Sequence, residues 1–259
     1  MALSHDALGD GPTVLLIHST ACDRRMWDRQ MPALTAVGYR AVRCDLRGFG
    51  ETPAPDRPYD DARDVLELLD VFGADRVALI AASGGGTVAL EVAARWPGRV
   101  AALALLSTGH PEHEATDELK ACWERENALI EAGDIAGAVD FNVQTWLGPD
   151  ADEAAREKLR DMQRRAFEIQ LAVEEEFGAA QTEFDLSDIT APSLLVHGSH
   201  DLPDFRLIAD RLARQLPAAR HLELPWAGHL PNMERPDEIN ALLLGFLRGT
   251  YPAQTARVP

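Results

Sequence analysis

RVALIAASGGGTVALEVAA, residues 76–94, joins two kinds of periodicity in one stretch. Residues 77–82 form the short, unbroken apolar run that a strand buried on both faces requires. From residue 87 onward, Val88, Val92 and the alanines fall at helical spacing. Ser83 stands at the joint. Ala81 two residues before it and Gly85 two after it let a sharp strand-to-helix turn close without a Cβ clash, holding the serine oxygen proud of the sheet in strained backbone. Gly84, Gly85 and Gly86 would open the helix, where each costs on the order of 1 kcal/mol against alanine. Something other than helix stability must therefore favour them. From this stretch alone two readings stay open: a nucleophile turn whose Gly84 amide binds a developing negative charge, or a glycine-rich turn that binds a phosphate or merely packs.

The flanking sequence repeats the same alternation. Residues 13–17 read as a buried strand, followed by a polar loop and a helix expected from about Trp27 to Gly38. Residues 39–44 are the next strand, and Val65, Leu68, Leu69 and Phe72 give an amphipathic helix over about 60–72 that Gly73 ends. Strands follow at 99–106, 193–197 and 219–224, with helices over about 205–216 and 236–247. Apolar strands alternating with helices imply a mostly parallel sheet covered on both faces. Residues 108–190 break the rhythm with three helical stripes: Leu119, Cys122, Trp123 and Ile130; then Ile135, Val139, Val143 and Trp146; then Leu159, Met162, Ala166, Ile169 and Val173. Asp134 and Asp150 stand where N-caps would. The expected organisation is an α/β core of residues 1–107 and 191–259, interrupted by a helical lid at 108–190. Such an insertion follows the C-terminal end of a strand, beside the crevice where these sheets bind ligands.

The 259 residues can bury a real core, and 46% of them are apolar, yet no run approaches the roughly 18 apolar residues of a membrane span. The start MALSHDALG has neither the basic nor the apolar region of a signal peptide. Three cysteines without metal-type spacing fit a reduced, cytoplasmic setting. A net charge of −17 disfavours nucleic acid and anionic membrane surfaces as partners and says little about a small neutral substrate. Monomer and homodimer both stay open.

A serine needs a base to take its proton and a carboxylate to orient that base. Asp201 lies in the loop after the strand at 193–197, and His229 in the loop after the strand at 219–224, so both share a sheet edge with Ser83. The order serine, aspartate, histidine, together with LLIHST at 15–20, DLRGFG at 45–50, AASGGG at 81–86, GSHD at 198–201 and GHLP at 228–231 followed by Glu234-Arg235-Pro236, resembles the α/β-hydrolase superfamily. The resemblance runs from Thr13 to Leu247 and is to the cofactor-free esterases, lactonases and carbon–carbon bond hydrolases that carry a helical cap.

That resemblance implies Ser83 as nucleophile, His229 as general base and acid, and Asp201 as the group that orients the imidazole. It implies an oxyanion hole from the backbone amides of Thr20 and Gly84, a structural role for Asp45, Arg47, Gly48 and Gly50, and no cofactor. The region before Thr13 departs from the family, being too short for its usual pair of leading antiparallel strands, so at most one strand and a sheet trimmed at that edge are expected. Ala81 and Ser19 replace glycines usual in the family, and Ser19 adds a hydroxyl near the site. Asp204, three residues past Asp201, is the lesser match for the acid, and Ser107, at the end of a strand where some relatives place the acid, cannot serve as one. His18, His197 and His200 are expected to be structural, and His110, His113 and His221 lack ligand spacing, so no metal site is expected. Ser19, Cys22, Trp27, Trp123, Trp146, Phe205, Trp226 and Leu230, with Met26 beside them, are expected to wall an apolar pocket. The expected activity is cleavage of an ester or lactone of a small, largely apolar molecule. The alternatives are carbon–carbon bond hydrolysis of a β-diketone-like substrate, or a ligand receptor or non-hydrolytic biosynthetic enzyme on the same fold.

Overall fold

A computed structural model of the chain describes residues 2–173, 175, 177–180, 182–216 and 218–253. Its seven strands are β1 (His5–Leu8), β2 (Thr13–Ile17), β3 (Arg40–Cys44), β4 (Val77–Ala82), β5 (Val100–Leu106), β6 (Ser193–Gly198) and β7 (Ala219–Leu224), in the spatial order β1-β3-β2-β4-β5-β6-β7. Only β1 is antiparallel, pairing with β3, and it is the single strand before Thr13. β2 leads to β3 on one side and has β4 on the other, so the chain reverses its progress across the sheet at β2 and β4. The carboxyl ends of these two strands flank the switch-point crevice where open α/β sheets bind ligands.

The apolar runs bury both faces. Leu15, Ile17, Leu79, Ala81, Leu103 and Leu105 point into one core layer with α2 (Asp61–Val71) and α3 (Gly84–Arg95). The alternate residues Val14, Leu16, Ile80, Ala104 and Val196 point into the other, with α1 (Gln30–Ala36) and α9 (Pro236–Thr250). The period-2 alternation of a strand divides each run between two layers. β7, at the sheet edge, is mostly exposed.

Three helices occupy the stretch between β5 and β6: α4 (Asp117–Glu131), α5 (Ile135–Trp146) and α6 (Glu153–Gln170). Asp134 caps α5 through a bond from the Gly137 amide. α6 is capped by Asp152 rather than Asp150, whose carboxylate instead pairs with Arg235. Val173 lies beyond the end of α6, and on α4 only Leu119 is buried, with Trp123 47% exposed. The first regular helix begins at Gln30 rather than Trp27, because a 3₁₀ turn at Arg24–Trp27, capped by Asp23, folds Trp27 beneath the loop. α7 (Pro203–Gln215) and the short α8 (Pro231–Glu234) complete the α-helices among the described residues.

Candidate active site

Ser83 sits between β4 and α3 with φ 52° and ψ −123°, a conformation an L-residue holds only where its surroundings over-determine it. The three glycines after it each answer a close approach. A Cβ on Gly84 would meet Thr20 Cγ2 at 2.6 Å, one on Gly85 the His18 carbonyl oxygen at 2.3 Å, and one on Gly86 Thr108 Oγ1 at 2.1 Å. The loops after β2 and β5 thus close onto the start of α3 on both sides, which offsets the helix penalty of the glycines. Among the described residues, neither the Thr20 amide nor the Gly84 amide donates to a protein acceptor, and Thr20, Ser83 and Gly84 line one cavity.

Two further loops reach that cavity. His229 Nδ1 donates to Asp201 Oδ2 at 2.8 Å, with both side chains about 1% exposed, and the second oxygen of Asp201 accepts from the Leu202 amide at 2.8 Å. That contact depends on Gly198, whose Cβ would meet the Ala227 carbonyl oxygen at 2.1 Å, and on the His200 amide bonding to that same oxygen. The His229 ring lies against Trp146 and Phe205, with centroids 4.6 and 4.1 Å away, and its backbone amide donates to the Trp146 carbonyl. The end of α5 therefore holds both the ring and the backbone of His229.

Glu234, part of the motif that follows His229, is given no role by the sequence reading. It is buried and accepts from the Gly228 amide at 3.0 and 3.1 Å. Burial pushes its carboxyl above the ordinary glutamate range, opposed by bonds from the backbone amides of Gly228, Gly148 and Leu230. It ties the loop bearing His229 to the segment after α5. Its signal is its place in that motif, five residues past His229.

The cavity measures about 520 Å³. Ser19, Trp123, Trp146 and Phe205 line it, but Cys22, Trp27, Trp226 and Leu230 do not. Trp27 and Leu230 are wholly buried in the core layer beneath the sheet, where the 3₁₀ turn directs Trp27. Cys22 points its Sγ toward Met233, 3.9 Å away, and burial pushes its thiol well up. Trp226 stacks under Arg235 at 4.6 Å. Met26 is buried with its sulfur against the Ser19 amide. The wall is apolar and aromatic near His229, but on the lid side it carries Glu126, Asn127, Asn142, Gln163 and Gln170.

The remaining candidates are held by other contacts. His18 is buried, with Nδ1 donating to the Ser19 carbonyl and Nε2 accepting from the Leu46 amide; burial holds its pKa down against the pull of that carbonyl and of Asp45 and Asp23. Asp45 accepts from the Arg24 and Glu51 amides and from the Arg24 guanidinium, bracing the loop after β2. Gly50 leaves room for it, since a Cβ there would meet Asp45 Oδ2 at 2.3 Å. Arg47 pairs with Asp64. Asp204 is fully buried and accepts from His113 Nε2 and from the amide and hydroxyl of Thr116. His197 bonds to His221, and His200 is exposed. Ser107, also at positive φ, is buried, its hydroxyl without a partner among the described residues. His110 and His113 line the cavity, and burial holds His110 below the usual histidine range. No group of three potential metal ligands occurs among the described residues, and none of the described helices is long and apolar enough to cross a membrane.

Residues 14–242 match the family model described as "Alpha/beta hydrolase family". The chain is 29% identical to a putative carbamate hydrolase RutD of Variovorax paradoxus strain S110, over 95% of this chain and 96% of that one. Among solved structures it is similar to a hydrolase from Pseudomonas aeruginosa PA01, with 29% identity, a TM-score of 0.75 and coverage of 95% and 94%. It is also similar to the enol-lactonase from Burkholderia xenovorans LB400, with 26% identity, a TM-score of 0.74 and coverage of 95% and 96%. With the model spanning most of its length and its sheet and strand order those of the fold, the chain belongs to the α/β hydrolase family.

Proposed function

We propose that this α/β hydrolase is a serine hydrolase that cleaves an ester or lactone of a small molecule through Ser83, His229 and Asp201. The observation that carries the proposal is the 2.8 Å bond from His229 Nδ1 to a buried Asp201 carboxylate, in a ring that shares a cavity with Ser83. That bond fixes the imidazole with Nδ1 protonated and leaves Nε2 as its base.

In the proposed reaction His229 Nε2 takes the proton of Ser83 Oγ as the oxygen attacks the carbonyl carbon. The carbonyl oxygen becomes an oxyanion between the amides of Thr20 and Gly84, each donor contributing roughly 2.7–4 kcal/mol in the transition state. Collapse breaks the bond to the alcohol oxygen, which takes the proton from His229. Water then attacks the acyl-enzyme, giving its proton to the same nitrogen, and Ser83 is regenerated. The apolar part of the substrate rests against Trp146 and Phe205, and residues 108–190 serve as the lid that excludes bulk water. A small-molecule substrate and a reducing, cytoplasmic setting fit the charge of −17 and three free cysteines, two of them buried.

The same three residues could hydrolyse a carbon–carbon bond. Matched ester and β-diketone substrates separate the two, and release of alcohol and acid from the ester alone is the outcome expected here. Turnover of the diketone alone would reject the ester assignment.

A further inference from the structure

Resting on the hydrolase reading above, we propose that the substrate bears an organic ammonium group at the end remote from its scissile bond, received by Glu126 and Trp123. The argument starts from a chain of buried amides. Gln163 and Asn142, each 3% exposed, line the lid side of the cavity. Gln163 Nε2 donates to the Ala21 carbonyl at 2.8 Å. A carbonyl can only accept, so the orientation of Gln163 is fixed with Oε1 turned the other way. Asn142 Nδ2 donates to that Oε1 and to Glu126 Oε1, the latter at 2.6 Å.

Both amide protons of Asn142 are thereby used. What the chain leaves for a ligand is the Asn142 carbonyl oxygen and the second oxygen of Glu126, which are acceptors without a donor between them. Glu126 forms no ion pair among the described residues, and it is the one carboxylate among those lining the cavity. No lysine or arginine lines the described wall, His113 is engaged with Asp204, and burial holds His110 toward its neutral form. Trp123 lies three residues before Glu126 on α4, hence on the same face, and lines the cavity beside it. A negative charge, two bare acceptors and an indole face together match a cation that carries N–H or polarised C–H donors. A carboxylate placed there would meet repulsion from Glu126 with no lysine or arginine on the described wall to offset it.

The test compares acetylcholine, the acetate in which a tert-butyl group replaces the trimethylammonium, and an acetate carrying a carboxylate at the same place. The expected kcat/KM for the ammonium ester exceeds that of its uncharged isostere by about tenfold, mostly through KM, and the carboxylate ester is the poorest. Glu126→Gln brings the ammonium-to-isostere ratio close to one, and Trp123→Leu lowers it in a variant that keeps the charge. A wild-type ratio of one or less, or a ratio that Glu126→Gln leaves unchanged, overturns the proposal.

Calorimetric titration with choline reads the same site without chemistry. Binding that Glu126→Gln abolishes supports the site even if no ester is cleaved, in which case it is the hydrolase reading that fails. Absence of choline binding by a folded protein overturns the site even if the esters are cleaved.

Discussion

At Ser83 a positive φ coincides with a missing Cβ at each of the next three positions, and the two facts have one cause. Loops from β2 and β5 press on the start of α3 so closely that only glycine fits, and the pressure fixes the turn that raises the serine. Gly84→Ala would drive a methyl into Thr20 Cγ2, displacing one proposed oxyanion donor. Steady-state kinetics should show a loss of about 10²-fold or more in kcat, with KM changed little. Asp201→Asn should retain the fold but lower kcat by about 10⁴-fold, because an amide at Oδ2 cannot hold the tautomer that leaves Nε2 as base. A variant within tenfold of wild type would remove Asp201 from the proposed triad.

Among the longer helices α4 buries the least, with Leu119 its one buried residue, and its N-terminal end is anchored at Asp204. Its N-cap Thr116 and the nearby His113 both bond to Asp204 at the start of α7. Burial pushes the Asp204 carboxyl up, but the bonds from Thr116 and His113 outweigh it and hold its pKa below the usual value of 3.8. Its stabilising contribution is therefore complete above about pH 4 and is lost as pH falls through that depressed value. Asp204→Ala should cost about 2–4 kcal/mol, since it leaves buried donors unpaired. Hydrogen exchange should then accelerate across residues 113–120 more than in β4 or β5; uniform acceleration would mean the anchor is not local.

Sequence patterning is most legible at this same scale. Apolar runs locate β2, β4, β5 and β6, and helical stripes locate α5 and α6. The polar wall of the cavity is not legible that way, because Asn142 and Gln163 sit on apolar stripes, Asn142 three residues after Val139 and Gln163 four after Leu159. A polar side chain on an inward stripe was the available signal. Trp27 misleads for the opposite reason: a loop aromatic beside the oxyanion segment reads as pocket wall, while the Asp23-capped 3₁₀ turn that tucks it into the core has no periodicity to detect.

For the whole molecule, acidity has a local cost. Asp61, in the first turn of α2, has a buried oxygen without a partner; burial first, then Asp64, pushes its carboxyl from 3.8 up to about 7, against the pull of Arg47. Between these values the unfolded chain has released a proton that the folded one keeps, so this group makes stability fall as pH rises from about 4 to about 7. Asp61→Asn should raise Tm at pH 8, by about 2–4 °C for each kcal/mol relieved, with the gain shrinking toward pH 4. A lower Tm at pH 8 would contradict this. The proposed triad is likewise a property of the whole fold, since Ser83, Asp201 and His229 follow three different strands and would meet only when β4, β6 and β7 are in register. Intact-mass spectrometry after exposure to a fluorophosphonate tests that assembly most directly. The account predicts one label per folded wild-type chain, and none on Ser83→Ala or His229→Ala; a folded wild type that takes no label, or a Ser83→Ala variant that takes one, would contradict it.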